Sequence, residues 1–178
     1  MSADLRQRLL QVAPALAERL KLSEVTPLVV AAAAGVAERD FHALYESFEH
    51  YLMDVQQAFM ERIRLRLIAE TQSVTGCERM LRGGAIMLDT CLAEHKLRSW
   101  FMQARTHTLA VREGLQRQNN TYLLILSPDF EQAGWPHPRA AARLFLALLQ
   151  EIALIEHAAH APSADARLVM TEFLGMYR

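Results

Sequence analysis

The stretch from Thr26 to Leu44 constrains this chain more than any other. Threonine followed by proline is a helix start: the hydroxyl can accept a bond from a first-turn N–H, and proline loses nothing at a position whose N–H has no helical partner. Gly35 can then take the left-handed conformation that closes a helix. Ala31 is small enough to sit where a second helix crosses. Val30, Ala34, Val36, Phe41 and Leu44 supply apolar residues to bury the unit. The pattern predicts two short helices, about 27–34 and 38–44, meeting over a tight turn: a helix-turn-helix.

The rest of the chain is also helical in pattern, and the expected fold class is all-α. Leu5, Leu9, Val12, Leu16 and Leu20 recur at helical spacing and predict a first helix from about Ala3 to Leu20. Ser47, with Glu49 and His50 behind it, starts a long helix running to about Thr71. A break at 73–76 precedes helices near 77–94, 96–105, 107–126, 137–159 and 164–177, with Leu126-Ser127-Pro128 expected to end the third of these. This divides the chain into a three-helix head, residues 1–50, and a body, residues 51–178, which the long helix joins to it.

Bulk properties narrow the function. Hydrophobic residues make up 52% and charged residues 22% of the 178, which suits a soluble globular chain, and the net charge is only −1. Any nucleic-acid contact must then come from a local patch. No export signal and no apolar run of membrane-spanning length is present, so no membrane partner and a cytoplasmic location are expected. Cys77 and Cys91 fall on one predicted helix, about 21 Å apart, too far to bridge. There is no phosphate-binding glycine loop, Cys-x-x-Cys pair or nucleophile elbow, so neither an enzyme nor a cofactor is expected. His157 and His160 stand three apart behind Glu156, but the sequence offers no third ligand at matching spacing, so no metal is expected either.

From about Leu5 to Val55 the order of elements resembles the tetracycline-repressor (TetR) family of transcriptional regulators. The turn Ala34-Gly35-Val36-Ala37 is similar to that family's Ala-Gly-Val-Ser. Phe41-His42-Ala43-Leu44-Tyr45 is similar to the aromatic end of its recognition helix, and Glu49 matches the acidic residue at the start of its long helix. The resemblance implies a ligand-responsive regulator, with repression the expected mode, that binds operator DNA as a homodimer. Thr26, Ala37, Arg39, Asp40, His42 and Tyr45 would then lie on the DNA-facing surface. Arg39 is placed to read a base edge, most naturally guanine in the major groove, and His42 and Tyr45 to meet phosphates.

The sequence departs from the family where DNA contacts are made. Residues 27–34 carry no basic side chain, Phe48 stands where a lysine is usual, and His42 replaces a tyrosine. Five basic residues (Arg6, Arg8, Arg19, Lys21, Arg39) face eight acidic ones (Asp4, Glu18, Glu24, Glu38, Asp40, Glu46, Glu49, Asp54) over positions 1–60, a net −3. Affinity for double-stranded DNA rests largely on phosphate neutralisation. The alternative is therefore a helical interaction or ligand-sequestering module that keeps the scaffold without DNA binding.

In the body, the resemblance implies an effector site among the central helices. Met80, Met87, Trp100, Phe101, His107 and Tyr122 are the candidate ligand contacts, and so apolar a set implies a small hydrophobic or aromatic effector. Gly83-Gly84 inside a helix costs about 1 kcal/mol per glycine against alanine, which a close approach of another helix or a ligand would explain, as would a bare kink. Arg62, Arg64 and Arg66 are expected on a solvated helix surface. The stripe Ala140, Leu144, Ala147, Leu148, Glu151, Ile152 and Ile155, with Leu168, Met170, Phe173 and Leu174, predicts a homodimer through the two C-terminal helices.

Overall fold

The structure is a computed structural model that describes the backbone of residues 2–107 and 109–176, and side chains over 3–104 and 120–176. Among the described residues it is helical throughout, without a strand, as the sequence predicts. The chain forms two compact units. One comprises residues 1–61 with 96–114, the other residues 62–95 with 115–178.

The first unit begins with α1 (Ser2–Gln11) and α2 (Ala13–Ala17), where the sequence had predicted one helix to Leu20. Pro14 is the reason for the difference: it has no N–H for the carbonyl one turn back, so the helix is interrupted and restarts with proline in its first turn. A single 3₁₀ turn, Leu22–Glu24, leads to α3 (Pro27–Ala34) and α4 (Glu38–Leu44). Gly35 between them has φ +65°, and Val36 and Gly35 donate to the Ala31 and Ala32 carbonyls at 3.0 and 3.1 Å. Those two bonds satisfy carbonyls that the end of α3 would otherwise leave open. Val30, Ala31 and Phe41 are buried at the crossing, and Leu9 and Ala13 of the preceding helices, which pack against α3, are buried too.

The long helix α5 (Phe48–Thr71) starts where Ser47 accepts from the His50 N–H. Tyr51 near its start is fully buried, donates to the Leu9 carbonyl at 3.0 Å, and sits 5.3 and 5.4 Å from the rings of Phe41 and Tyr45. This aromatic cluster is the core of the head. The next helices are α6 (Gly76–Ala93), α7 (His95–His107) and α8 (Leu109–Gln132). In the first unit Trp100 of α7 is buried, with its indole N–H on the Leu20 carbonyl.

Helix α8 runs through Pro128 instead of ending before it. Pro128 is exposed, so the carbonyl that loses its partner lies on a face that water can reach. The following Asp129 and Phe130 are buried, Phe130 against the rings of Trp135 and Phe145. Tertiary packing here outweighs the local penalty. The second unit is completed by α9 (Pro138–Ala159) and α10 (Ala164–Gly175), which pack with α6. At their meeting point a Cβ on Gly84 would lie 2.7 Å from Met170 Sδ and 3.2 Å from Leu149 Cδ2. A close helix approach thus accounts for this glycine. Cys77 and Cys91 are both on α6, and neither is in a disulfide.

Buried charge in this unit is paired. Glu156 of α9 is 1% exposed and receives two bonds from the Arg167 guanidinium, at 2.6 and 2.9 Å, and one from the Ser163 N–H. Arg167 also reaches Asp89 at 2.7 Å. One guanidinium therefore ties α6, α9 and α10 together.

Candidate functional site

Of the residues predicted to face DNA, two have local duties. Thr26 accepts from the Val29 N–H at 3.3 Å as the N-cap of α3, and Asp40 accepts from the Ala37 N–H at 3.1 Å at the start of α4. Ala37, Arg39 and His42 lie exposed on the outer face of α4. The Arg39 side chain is 89% exposed, with Asp40 4.0 Å away, and His42 is 3.8 Å from Glu38 one turn back. Tyr45 is placed differently. It is 5% exposed, in the aromatic core, and its hydroxyl donates to Asp54 at 2.9 Å, because α4 turns it and Phe41 inward together. Burial, then the bond to Asp54 and that residue's charge, push its phenol well above the ordinary tyrosine range.

Two cations of the head are engaged internally. Arg6 donates to both oxygens of Asp54, and Arg8 donates to the Ala34 and Gly35 carbonyls at 2.8 and 2.9 Å. Arg8 is thus a side-chain cap on the end of α3. Neither role has a local sequence signal, since the partners are 48 and 26 residues away.

The second unit holds a cavity of about 220 Å³ between the C-terminal half of α5 and helices α6, α8 and α9. Its wall is mostly apolar. Met80, Met87 and Tyr122, all predicted ligand contacts, line it together, with Gly83 and Gly84 giving room and Phe145 and Leu149 closing one side. Trp100 and Phe101 are not brought there: Trp100 is packed on Leu20, and Phe101 lies 5.7 Å from the Phe59 ring, both within the first unit. The His107 side chain lies outside the described residues.

The sequence reading missed the contribution of α5. Arg64, Leu67, Ile68 and Thr71 line the cavity at helical spacing, and Arg64 is half-buried there. Arg62 pairs with Glu94, and Arg66 with Glu70 and Thr90. The signal available was that stripe of apolar and polar residues one turn apart. Arg79, also on the wall, is neutralised by Asp129 at 2.9 Å. Burial of Asp129 raises its carboxyl above the usual range, although Arg79 and the Gly76 N–H oppose it.

The described residues thus form a helix-turn-helix unit and a second all-α unit that holds an apolar cavity. No protein-family model matches the chain, and no curated protein matches it in sequence. Solved structures do match. A transcriptional regulator from Rhodococcus sp. Rha1 superposes with a TM-score of 0.82 at 17% identity, over 97% of this chain and 95% of that one. A TetR transcriptional regulator from Rhodococcus sp. RHA1 gives 0.71 at 18% identity, over 99% and 97%. A Saccharomonospora viridis protein assigned as a transcriptional regulator, solved in complex with choline, gives 0.78 at 16% identity, over 98% and 97%. The chain has the fold of the TetR-family transcriptional regulators.

Proposed function

We propose that this chain is a ligand-responsive transcriptional regulator, acting as a repressor, that binds operator DNA as a homodimer. Residues 1–50 form the DNA-binding domain and residues 51–178 the ligand-binding and dimerisation domain. The observation that carries the reading is the α3–Gly35–α4 unit, which buries Ala31 and Phe41 and leaves Arg39 with 89% of its side chain exposed on the outer face. That is the placement a recognition helix needs to reach base edges. Thr26, Ala37, Asp40 and His42 flank it, while Tyr45 acts from beneath by positioning α4.

The effector we assign is small and hydrophobic or aromatic, bound by Met80, Met87 and Tyr122. The choline of the Saccharomonospora protein is a quaternary ammonium, which is held best by a cage of aromatic faces. Among the described residues the cavity wall carries only Tyr122 and Phe145 as aromatics, too few for such a cage, which favours an uncharged apolar ligand. Dimerisation uses the outer face of α9 and α10, where Leu144, Ile155, Leu168 and Val169 are 60, 44, 56 and 48% exposed.

The experiment is fluorescence anisotropy with duplex DNA from upstream of the chain's own coding region, over a salt series. Binding that weakens steeply with salt, and is reduced about tenfold or more by Arg39→Ala, is the expected result. The second reading, an interaction module without DNA binding, draws on a specific observation: Arg6 and Arg8 are engaged internally, and residues 1–60 carry a net charge of −3. Equal, negligible affinity of the parent and Arg39→Ala proteins at low salt would select it.

A further inference from the structure

The sequence places His157 and His160 near each other and no third histidine beside them. The fold supplies one. His95, the first residue of α7, lies with its ring centre 5.1 Å from that of His160 and 6.3 Å from that of His157, and the latter two are 6.2 Å apart. We propose that His95, His157 and His160 form a binding site for a divalent transition-metal ion of the zinc class.

Ligand geometry sets the comparison. With metal–nitrogen bonds of about 2.0–2.1 Å, an imidazole centre lies about 3.2 Å from the metal, and three tetrahedral ligands place their ring centres about 5.2 Å apart. The His95–His160 pair already has that separation. Both longer distances involve His157, so a shift of about 1 Å in that one ring brings all three separations to the tetrahedral value. No group of three such side chains is preassembled for a metal among the described residues, and the ion itself would draw His157 in.

Two further features favour the assignment. His95 Nδ1 lies 3.2 Å from the Leu92 carbonyl, and a neutral imidazole donating there carries its lone pair on Nε2. Histidine ligands are commonly oriented by such a bond from the other ring nitrogen. His160 is the one non-glycine residue with positive φ among the described residues, at +52°, as the cap of α9. That conformation ends α9, and the His160 ring meets that of His95 edge-on. The neighbouring carboxylates are committed, Glu94 to Arg62 and Glu156 to Arg167. An all-imidazole set suits zinc, nickel or copper, and not the oxygen-seeking magnesium or calcium.

The test is calorimetric titration of the tag-free full chain with ZnCl₂, alongside the visible absorption of added Co²⁺. One saturable ion per chain, a tetrahedral cobalt spectrum, and affinity lowered about 100-fold or more by each of His95→Ala, His157→Ala and His160→Asn is the expected result. Asparagine tolerates the left-handed conformation, so His160→Asn removes the ligand and keeps the cap. Zinc should also raise the unfolding temperature of the parent and not that of the variants. The proposal is overturned if the parent shows no saturable binding, if His160→Asn binds as the parent does, or if binding depends instead on the exposed His42.

Discussion

The Arg6 guanidinium donates to both carboxylate oxygens of Asp54, at 2.6 and 2.7 Å, and so joins α1 to α5. The Tyr45 hydroxyl donates to the same carboxylate, which brings in the end of α4. Three elements of the head, α4 among them, are thus tied to one charge.

Removing that charge should loosen the head. Asp54→Ala is expected to cost about 1–2 kcal/mol in urea unfolding, a modest value because Arg6 is half exposed and water screens the pair. Burial alone would raise the Asp54 carboxyl; the bonds from Arg6 and Tyr45 outweigh it and hold it below the usual range. A depressed folded-state value means that the contribution is complete above the unfolded carboxylate value and disappears as pH falls through the folded one. An unchanged midpoint in Asp54→Ala at neutral pH would contradict this.

The Glu156–Arg167 pair should behave more severely. Arg167→Met leaves a buried carboxylate without its cation and is expected to destabilise the chain by about 3–5 kcal/mol. The double variant Glu156→Leu/Arg167→Met should recover most of the loss, since no charge then remains to be buried. Glu156 is held below the ordinary range by Arg167 and the Ser163 N–H, against the effect of burial, so this contribution too is lost toward acid pH. A double variant no more stable than the single one would show that packing, not the unpaired charge, dominates.

At Gly84 helix propensity and packing oppose each other. Alanine gains up to about 1 kcal/mol in a helix interior, but its Cβ would lie 2.7 Å from Met170 Sδ and 3.2 Å from Leu149 Cδ2. Overpacking of this kind costs about 1–3 kcal/mol, so Gly84→Ala should be net destabilising by about 1 kcal/mol. Met170→Ala in the same chain should relieve the clash, which a double-mutant cycle would read as a favourable coupling.

The proposed dimer face can be tested by charge. Leu144→Glu with Ile155→Glu places carboxylates on two exposed apolar positions of α9 without touching its buried side. Light scattering should then report a monomer where the parent is a dimer, while far-ultraviolet circular dichroism stays the same. A parent that is already monomeric at micromolar concentration would remove this interface.

Filling the cavity should abolish effector binding. Met87→Trp adds volume against Tyr122 and Phe145 in a space of about 220 Å³. The variant should lose the thermal stabilisation that a small aromatic ligand confers on the parent, with its unliganded stability within about 2 kcal/mol of it.

What the sequence determined by itself is local. The start of α3 at Thr26-Pro27, its end at Gly35, and the start of α5 at Ser47 were legible because each bond involved closes within a few residues. Helical periodicity likewise placed Met80, Met87 and Tyr122 on helices that could meet. Only the tertiary structure decided which side chains answer one another across the chain: Arg6 with Asp54, Arg8 on the end of α3, Tyr45 in the core, Arg64 on a cavity wall, and His95 beside His157 and His160. It also carried α8 through Pro128 and set Gly84 against Met170. The physical reason is the same in each case. A cap or a turn is a contest among neighbouring backbone groups, whereas an ion pair, a buried ring or a cavity wall depends on partners that come together only when distant helices pack.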